Sequence, residues 1–448
     1  MEKVLILGLG NNNGGKNSLL YFATKPEQYI VRVSDIAKAS NFTYLDEFKD
    51  YNIEFFFSDT DPRENIKWAD IVIKNPAIPP KLPQLSLAKH ISNDIAYLCT
   101  SPYIENIDLI AVTGTKGKSS TASAITHALK HLNKDVLICG NIGISAFTVL
   151  TELQNREKNN IPMPDYIVFE LSSWQVNDTY IALNAKMPNF KLAIFTSIYS
   201  DHLNTYHSKD EYFQDKIKLF NTHCEKILIE KKIKDLFVSH RPNLLKRITV
   251  FPKDNNPYIN KKIELQCTYR ALRMLQFKDA DIQNALFYYK GIPHRCEQVD
   301  VIDDIMFIND SAATIPEAVS YSCKNISPLS YHVIMGGSDK KLSVLGLRFS
   351  IRKASSITLL DGNFTRNKLI PYLEKNNYPY FGPFNNMEDA FKTAYKEAVD
   401  VKKIKNRMQV VILSPGATSF ELFKNEFDRG DQFKACVYKI NNEDSQQN

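Results

Sequence analysis

The chain has 448 residues, 44% hydrophobic and 24% charged, and a formal net charge of +6. That length calls for two or three domains, and the balance is that of a globular protein, not a disordered or fibrous one. No dense Lys/Arg block interleaved with aromatics argues for nucleic acid, and no apolar run approaches the roughly 18–20 residues of a membrane span. Seven scattered cysteines, at 99, 139, 224, 267, 296, 323 and 436, form no CxxC pair and no metal-ligand spacing. They read as reduced core thiols. The opening MEKVLILGLG lacks the parts of a secretory leader. A soluble cytoplasmic protein with no membrane insertion is the expectation.

In chain order, short apolar runs alternate with helical periodicity, which predicts an α/β fold with parallel sheets and crossover helices. The first block has strands at 4–7, 29–33, 53–57 and 71–73 and ends in a proline-rich stretch, residues 75–83. The second has strands at 109–112, 135–139, 166–169, 192–195, 227–229 and 248–251. Gly291-Ile292-Pro293 then punctuates the chain. The third has strands at 306–308, 332–335, 357–360 and 410–413, with a helix over 386–402. There is no internal repeat, and the last eight residues are a polar tail.

The strongest local signal is Thr113-Gly114-Thr115-Lys116-Gly117-Lys118-Ser119-Ser120, between the strand IDLIAV and the amphipathic TASAITHALKHL. Glycines there let backbone N–H groups approach phosphates at a helix N-terminus. Lys118 would neutralise the β- and γ-phosphates and the Ser119 hydroxyl would ligate Mg²⁺. Val112 stands where the general phosphate loop has its first glycine, so this is a shorter variant. Gly8-Leu9-Gly10 with Asp35 is half of a dinucleotide fingerprint, and fits a structural turn about as well. Glu170 ends the run YIVFE at the carboxyl edge of a parallel sheet, where ligands of such sheets bind. It is a candidate second Mg²⁺ ligand. Asp201-His202 reaches the same edge, although such a pair more often makes a loop hydrogen bond. Asp310-Ser311, Gly336-Gly337 and Ser414-Pro415-Gly416 each follow a strand of the third block, and their number in one block argues for a site.

Together these segments resemble the Mur ligase family across nearly the whole chain. GTKGKSS, GNIG (140–143), FELSSWQ (169–175), SDHLNTY, PHRCE (293–297) and INDSAAT (308–314) are family-like, in order. GGSDK (336–340) and LSPGATSFELFKNEFDRGDQF (413–433) match the branch that adds D-glutamate. The resemblance implies three α/β domains: a Rossmann-like one at 1–104, a central P-loop ATP-binding domain with a parallel-rich sheet at 105–293, and a Rossmann-like carboxyl-terminal one at 294–448. It implies an ATP-dependent ligase that joins D-glutamate to UDP-N-acetylmuramoyl-L-alanine through an acyl-phosphate, acting as a monomer with ATP and two Mg²⁺ ions. Residues 114–120 (Gly114, Thr115, Lys116, Gly117, Lys118, Ser119 and Ser120) with Arg295 and Asp310 would hold ATP. Asn11, Asn12, Asp35 and Ala77 would hold the nucleotide, and Asn141, Ser172 and Gln175 the muramoyl-alanine part. Thr314, Lys340 and Ser419 would hold D-glutamate. Ser119, Glu170, His202 and a carbamylated Lys216 would hold the metal, carbamylation giving a lysine the oxygen donors that Mg²⁺ accepts. The catalytic set is then Lys118, Glu170, His202 and Lys216.

Departures from the family pattern fall at Asn75-Pro76-Ala77, Ser197 and Ala312. The His-Asn motif associated with adenine is not recognisable around 260–271. Lys118, Glu170, His202 and Lys216 are kept, so adenine recognition should change before chemistry is lost. Three other readings stand beside the leading one: another amino acid or a folate-type acceptor on the same scaffold, an inert nucleotide-binding homologue, and, weakest, a nicotinamide oxidoreductase.

Overall fold

The computed structural model describes residues 1–10, 14–76, 78, 79, 82–141, 143–198, 208–251, 263–339 and 343–445. The chain divides into two compact units, Met1–Tyr289 and Lys290–Asn448.

In the first unit, β1 (Glu2–Leu7), β2 (Tyr29–Asp35), β3 (Ile53–Phe57), β4 (Ile71–Lys74) and β5 (Ile91–Ser92) form a wholly parallel sheet. Its order is β3-β2-β1-β4-β5. β1 and β4 are buried on both faces, hence their unbroken apolar runs. The chain leaves β1 and β4 in opposite directions along the sheet, so a crevice opens at their carboxyl ends.

A second parallel sheet consists of β6 (Asp108–Thr113), β7 (Val136–Gly140), β8 (Tyr166–Glu170), β9 (Leu192–Phe195), β10 (Lys226–Glu230) and β11 (Ile248–Phe251). Its order, β11-β10-β9-β6-β8-β7, reverses between β6 and β9. Helices Lys118–His131, Ile263–Met274 and Asp279–Phe287 pack on one face, with Ile125 and Leu272 in one core with Ile110 and Val112 of β6. The other face shares a continuous core with the first sheet. There Tyr21 from the first sheet's layer stacks on Phe147 from the second's at 4.7 Å.

The second unit has one sheet, ordered β12-β13-β17-β14-β15-β16. Its strands are β12 (Glu297–Ile302), β13 (Ile305–Asn309), β14 (Ser330–Gly336), β15 (Ser356–Leu360), β16 (Phe381–Phe384) and β17 (Gln409–Leu413). All pairs are parallel except β12 with β13. Alternate β14 residues serve the two cores: Tyr331, Val333 and Met335 face one and Ile334 the other.

Every strand expected from the sequence is present, within a few residues at its ends. β5, β12 and β16 were not expected. β5 is two residues long, β12 (EQVDVI) is polar and antiparallel, and β16 (FGPF) reads as a turn because Gly and Pro punctuate it. All seven cysteines are free. No helix among the described residues is long and apolar enough to cross a membrane.

Candidate active site

The reversal between β6 and β9 places the loop after Thr113 against the residues after Phe195. Thr115 N–H donates to the Ser197 carbonyl (2.8 Å), and the Lys116 N–H to the Ser197 hydroxyl (2.9 Å). The Thr196 hydroxyl donates to the Lys116 carbonyl at 2.7 Å. Gly114, at φ +147°, is forced by this closeness: a Cβ there would lie 2.1 Å from the Thr196 hydroxyl. Ser197, a departure from the family pattern, thus clamps the loop. Gly117 caps the helix Lys118–His131, whose first turn starts with Lys118, Ser119 and Ser120. The N–H groups of such a turn have no partner inside the helix, which is why they attract anions. Lys118 Nζ donates to the Thr115 carbonyl at 3.1 Å.

Two carboxyl-edge groups converge on that turn. Glu170, at the end of β8, is fully buried. Its Oε1 accepts from the Ser119 hydroxyl (2.9 Å) and from Asn141 Nδ2 (3.3 Å), and its Oε2 has no hydrogen-bond partner among the described residues. An unsatisfied buried acceptor costs about 1–3 kcal/mol, more when charged, so this oxygen needs a partner that binding would bring. Asn141 N–H in turn holds the Glu170 carbonyl at 2.8 Å. Gly140, at φ +107°, allows that approach, since a Cβ there would lie 2.1 Å from the same carbonyl oxygen. Lys216, on the helix Lys209–Ile217, is 1% exposed and donates to the Gly114 carbonyl at 2.9 Å. Its ammonium also lies 4.5 Å from the centre of the Tyr212 ring. Ser119, Glu170, Asn141, Lys118 and Lys216 are thus brought to one strand edge.

Hard oxygen donors are what Mg²⁺ takes, and the Ser119 hydroxyl and Glu170 carboxylate are such donors. The fit rests on the Glu170 oxygen that nothing among the described residues satisfies. No cluster of three His, Cys, Asp or Glu side chains gathers among the described residues. His202, the imidazole expected here, lies outside them, as do Asn11, Asn12, Ala77 and Lys340.

Of the groups expected to meet the nucleotide sugar, Asp35 closes the loop after β1. Its carboxylate accepts from Leu9 N–H (2.7 Å) and Ala37 N–H (2.8 Å). Ser172 and Gln175 cap the helix Ser173–Ala182 reciprocally, each side chain bonded to the other's backbone N–H. Their rotamers are therefore set by the helix start.

In the second unit the three loops expected at strand ends are laced together. Asp310 N–H bonds the Leu413 carbonyl, Gly336 N–H the Pro415 carbonyl, and Ser338 pairs with Thr418. Asp310 is buried; its carboxylate accepts from the Ser414 hydroxyl at 2.7 Å and Cys296 N–H at 3.1 Å. Burial pushes its carboxyl up, against the pull of the Ser322 and Ser414 side chains and of Cys296. Ser419 is buried, and its hydroxyl has no partner among the described residues. Thr314 N–H bonds the Ala312 carbonyl, and Arg295 is exposed. One residue of this region escaped the sequence reading. Arg429 is completely buried, with its guanidinium on the Ser311 hydroxyl and carbonyl (2.9 Å each) and the Ala417 carbonyl (3.2 Å). Burial lowers it to about 10. It ties the loop after β13 to the loop after β17; the one available signal was its place inside the string DRGDQF.

A strand, a glycine loop and a helix start bearing Lys118 and Ser119, on a parallel sheet with a buried carboxylate beside them, define a P-loop α/β protein. The profile of the Mur ligase middle domain matches residues 112–287. A UDP-N-acetylmuramoylalanine–D-glutamate ligase from Borreliella afzelii is 32% identical, over 97% of this chain and 97% of its own. One from Bacteroides thetaiotaomicron is 28% identical, over 98% of this chain and 100% of its own. In fold the chain is similar to UDP-N-acetylmuramate-alanine ligase from Thermotoga maritima. That similarity has a TM-score of 0.55 at 16% identity, over 99% of this chain and 100% of that one. The chain belongs to the Mur ligase family, among the UDP-N-acetylmuramoylalanine–D-glutamate ligases.

Proposed function

We propose that this chain is the cytoplasmic, monomeric enzyme that joins D-glutamate to UDP-N-acetylmuramoyl-L-alanine with ATP, a step in making peptidoglycan precursors. The relatives' full-length similarity supports the substrates, and the observation that carries the chemistry is Glu170, buried against Ser119 with one oxygen unpartnered. The substrate carboxylate attacks the γ-phosphorus and ADP leaves. The amine of D-glutamate then attacks the acyl-phosphate, forming the amide and releasing phosphate and a proton. Both partners of the first step are anions, so positive charge is the central requirement.

Lys118 and the first-turn N–H groups of the helix Lys118–His131 supply part of it. Magnesium, held by Ser119 and Glu170 together with His202 and a carbamylated Lys216, would screen the phosphates. Two ions are proposed. Lys216 is buried beside the phosphate loop, where a carbamate could meet a cation held there. Arg295 and Asp310 would complete the ATP site, and Thr314, Lys340 and Ser419 would hold D-glutamate. The unpartnered hydroxyl of Ser419 suits a ligand carboxylate. Asn11, Asn12, Asp35 and Ala77 would meet the nucleotide, and Asn141, Ser172 and Gln175 the muramoyl-alanine. The three sheets support functional domains at 1–104, 105–293 and 294–448.

The test is phosphate release from ATP and Mg²⁺ with UDP-N-acetylmuramoyl-L-alanine and single amino acids. Release should need both the nucleotide sugar and D-glutamate. Release with another amino acid would move the specificity, and none from folded protein would leave a homologue without ligase activity.

A further inference from the structure

The first unit contains a buried ion pair that neither the phosphate loop nor the proposed substrate contacts account for. Lys74, the last residue of β4, places its ammonium 2.7 Å from the Asp178 carboxylate, with side-chain exposures of 2% and 5%. The two residues are 104 positions apart: Lys74 belongs to the first sheet, and Asp178 to the helix Ser173–Ala182 beside the second. Burial opposes both charges, pushing Lys74 down and Asp178 up to about 6, while each draws the other back to its charged form. Pairs of this kind add little net stability over apolar residues of equal volume, and their best-attested use is to fix one arrangement among several.

The arrangement fixed here has a definite location. Lys74 immediately precedes Asn75-Pro76, on the carboxyl edge where the nucleotide is proposed to sit. Asp178 lies in the helix whose first turn carries Ser172 and Gln175, proposed to face the muramoyl-alanine. The adjoining Thr179 makes a second junction, with Asn93 donating to its hydroxyl at 3.1 Å. Asn93 directly follows β5 and caps the helix Asp94–Cys99. Two attachments, at the ends of neighbouring strands β4 and β5, leave the helix unable to pivot about either one. The helix is also held by Lys218, which donates to Asn177 on it (2.6 Å) and to Asp215 of its own segment (2.7 Å), both charges acting on Asp178 as well. Lys218 lies two residues from Lys216, whose ammonium reaches the phosphate loop at Gly114. Hydrogen bonds and short stretches of backbone therefore lead from the first sheet's carboxyl edge to the phosphate loop.

We propose that Lys74 and Asp178 are positioning residues that set the spacing between the nucleotide half and the muramoyl half of one substrate's binding surface. The inference rests on the substrate reading given above. Neither side chain touches the substrate; the pair acts through Asn75-Pro76 and through the helix start at Ser172. A ligand that occupies only the nucleotide half should therefore be indifferent to the pair, and one that spans both halves should not.

The experiment compares Lys74→Met, Asp178→Leu, the double variant and Lys74→Arg with the wild type. Melting temperature, calorimetric binding of UDP and of UDP-N-acetylmuramoyl-L-alanine, and ligase KM and kcat are measured on each. Either single apolar variant leaves a buried charge and lowers the melting temperature, and the double variant restores it. In the double variant UDP should bind within twofold of wild type, whereas the complete nucleotide sugar should bind about tenfold more weakly, as expected when two halves of a site lose register. KM for that substrate should rise in step while KM for ATP stays within twofold, and Lys74→Arg should retain most of the wild-type affinity. A double variant that binds the complete nucleotide sugar as wild type does overturns the proposal, as does equal weakening toward UDP alone. Binding is read without turnover, so a wild type that binds the nucleotide sugar but fails to ligate D-glutamate refutes the function and not the spacing role.

Discussion

Glu170 and Asp310 are the same kind of group in the same kind of place. Each is a buried carboxylate at or just past the carboxyl end of a strand second from the edge of its sheet. They differ in what surrounds them. Asp310 meets a hydroxyl and a backbone N–H, one on each oxygen, drawn from two neighbouring segments. Glu170 has both its donors on one oxygen, and the other has no partner among the described residues. A satisfied carboxylate holds loops together; a half-satisfied one is a standing cost that a bound cation removes. The contrast separates a carboxylate with an oxygen open to a ligand from one whose two oxygens each already accept from the protein.

The largest expected effect falls on Glu170. Glu170→Gln should cut kcat by on the order of 10²–10³-fold, as loss of a preorganised electrostatic group does. The same variant should melt at or above the wild-type temperature, because a buried charge is gone. A variant that loses activity and stability together would erase the distinction drawn from Asp310. Gly140→Ala attacks the same carboxylate from behind. The new Cβ must displace the Glu170 carbonyl, and the left-handed backbone alone costs an alanine about 1–2 kcal/mol. Activity should fall at least tenfold by misalignment of the Glu170 carboxylate, even where the protein remains folded by circular dichroism.

Asp310→Leu sharpens the comparison from the other side. The Ser414 hydroxyl and the Cys296 N–H would lose their buried acceptor, so the unit 290–448 should lose about 1–3 kcal/mol in denaturant unfolding. An unchanged midpoint would mean that Asp310 does not hold the two loops together.

The smallest effect comes from His332, buried in the same unit between Ser356 and Gln409 and lowered to about 4 by burial. The unfolded chain binds this proton near pH 6.5 and the folded one only near 4. The stability is therefore complete above pH 6.5 and is lost as pH falls through that window. Between pH 8 and pH 5 the loss should be about 2 kcal/mol, and His332→Gln should flatten the slope.

Most of this was legible before any coordinates. Inner strands declare themselves because burial on both faces demands unbroken apolar residues, and the phosphate loop because glycines, a lysine and a serine must share one strand–helix turn. β12 and β16 hid because edge strands tolerate polar residues, proline and glycine. Lys74 and Arg429 hid for another reason. A buried cation is recognisable only by its partners, and Asp178 lies 104 positions from Lys74 and Ser311 118 positions from Arg429. His202, Lys340, Asn11, Asn12 and Ala77 fall outside the described residues.

The bond from Lys216 to the Gly114 carbonyl joins residues 102 positions apart. Its loop, β6, β8, β9 and the helix Lys209–Ile217 must all be in place before that contact exists. On the ribosome, then, the glycine loop is made early and finished late. A nascent chain halted before residue 217 would carry the whole phosphate-loop sequence without this contact. Nucleotide added during synthesis could reward the completed loop only after the central sheet had closed around it.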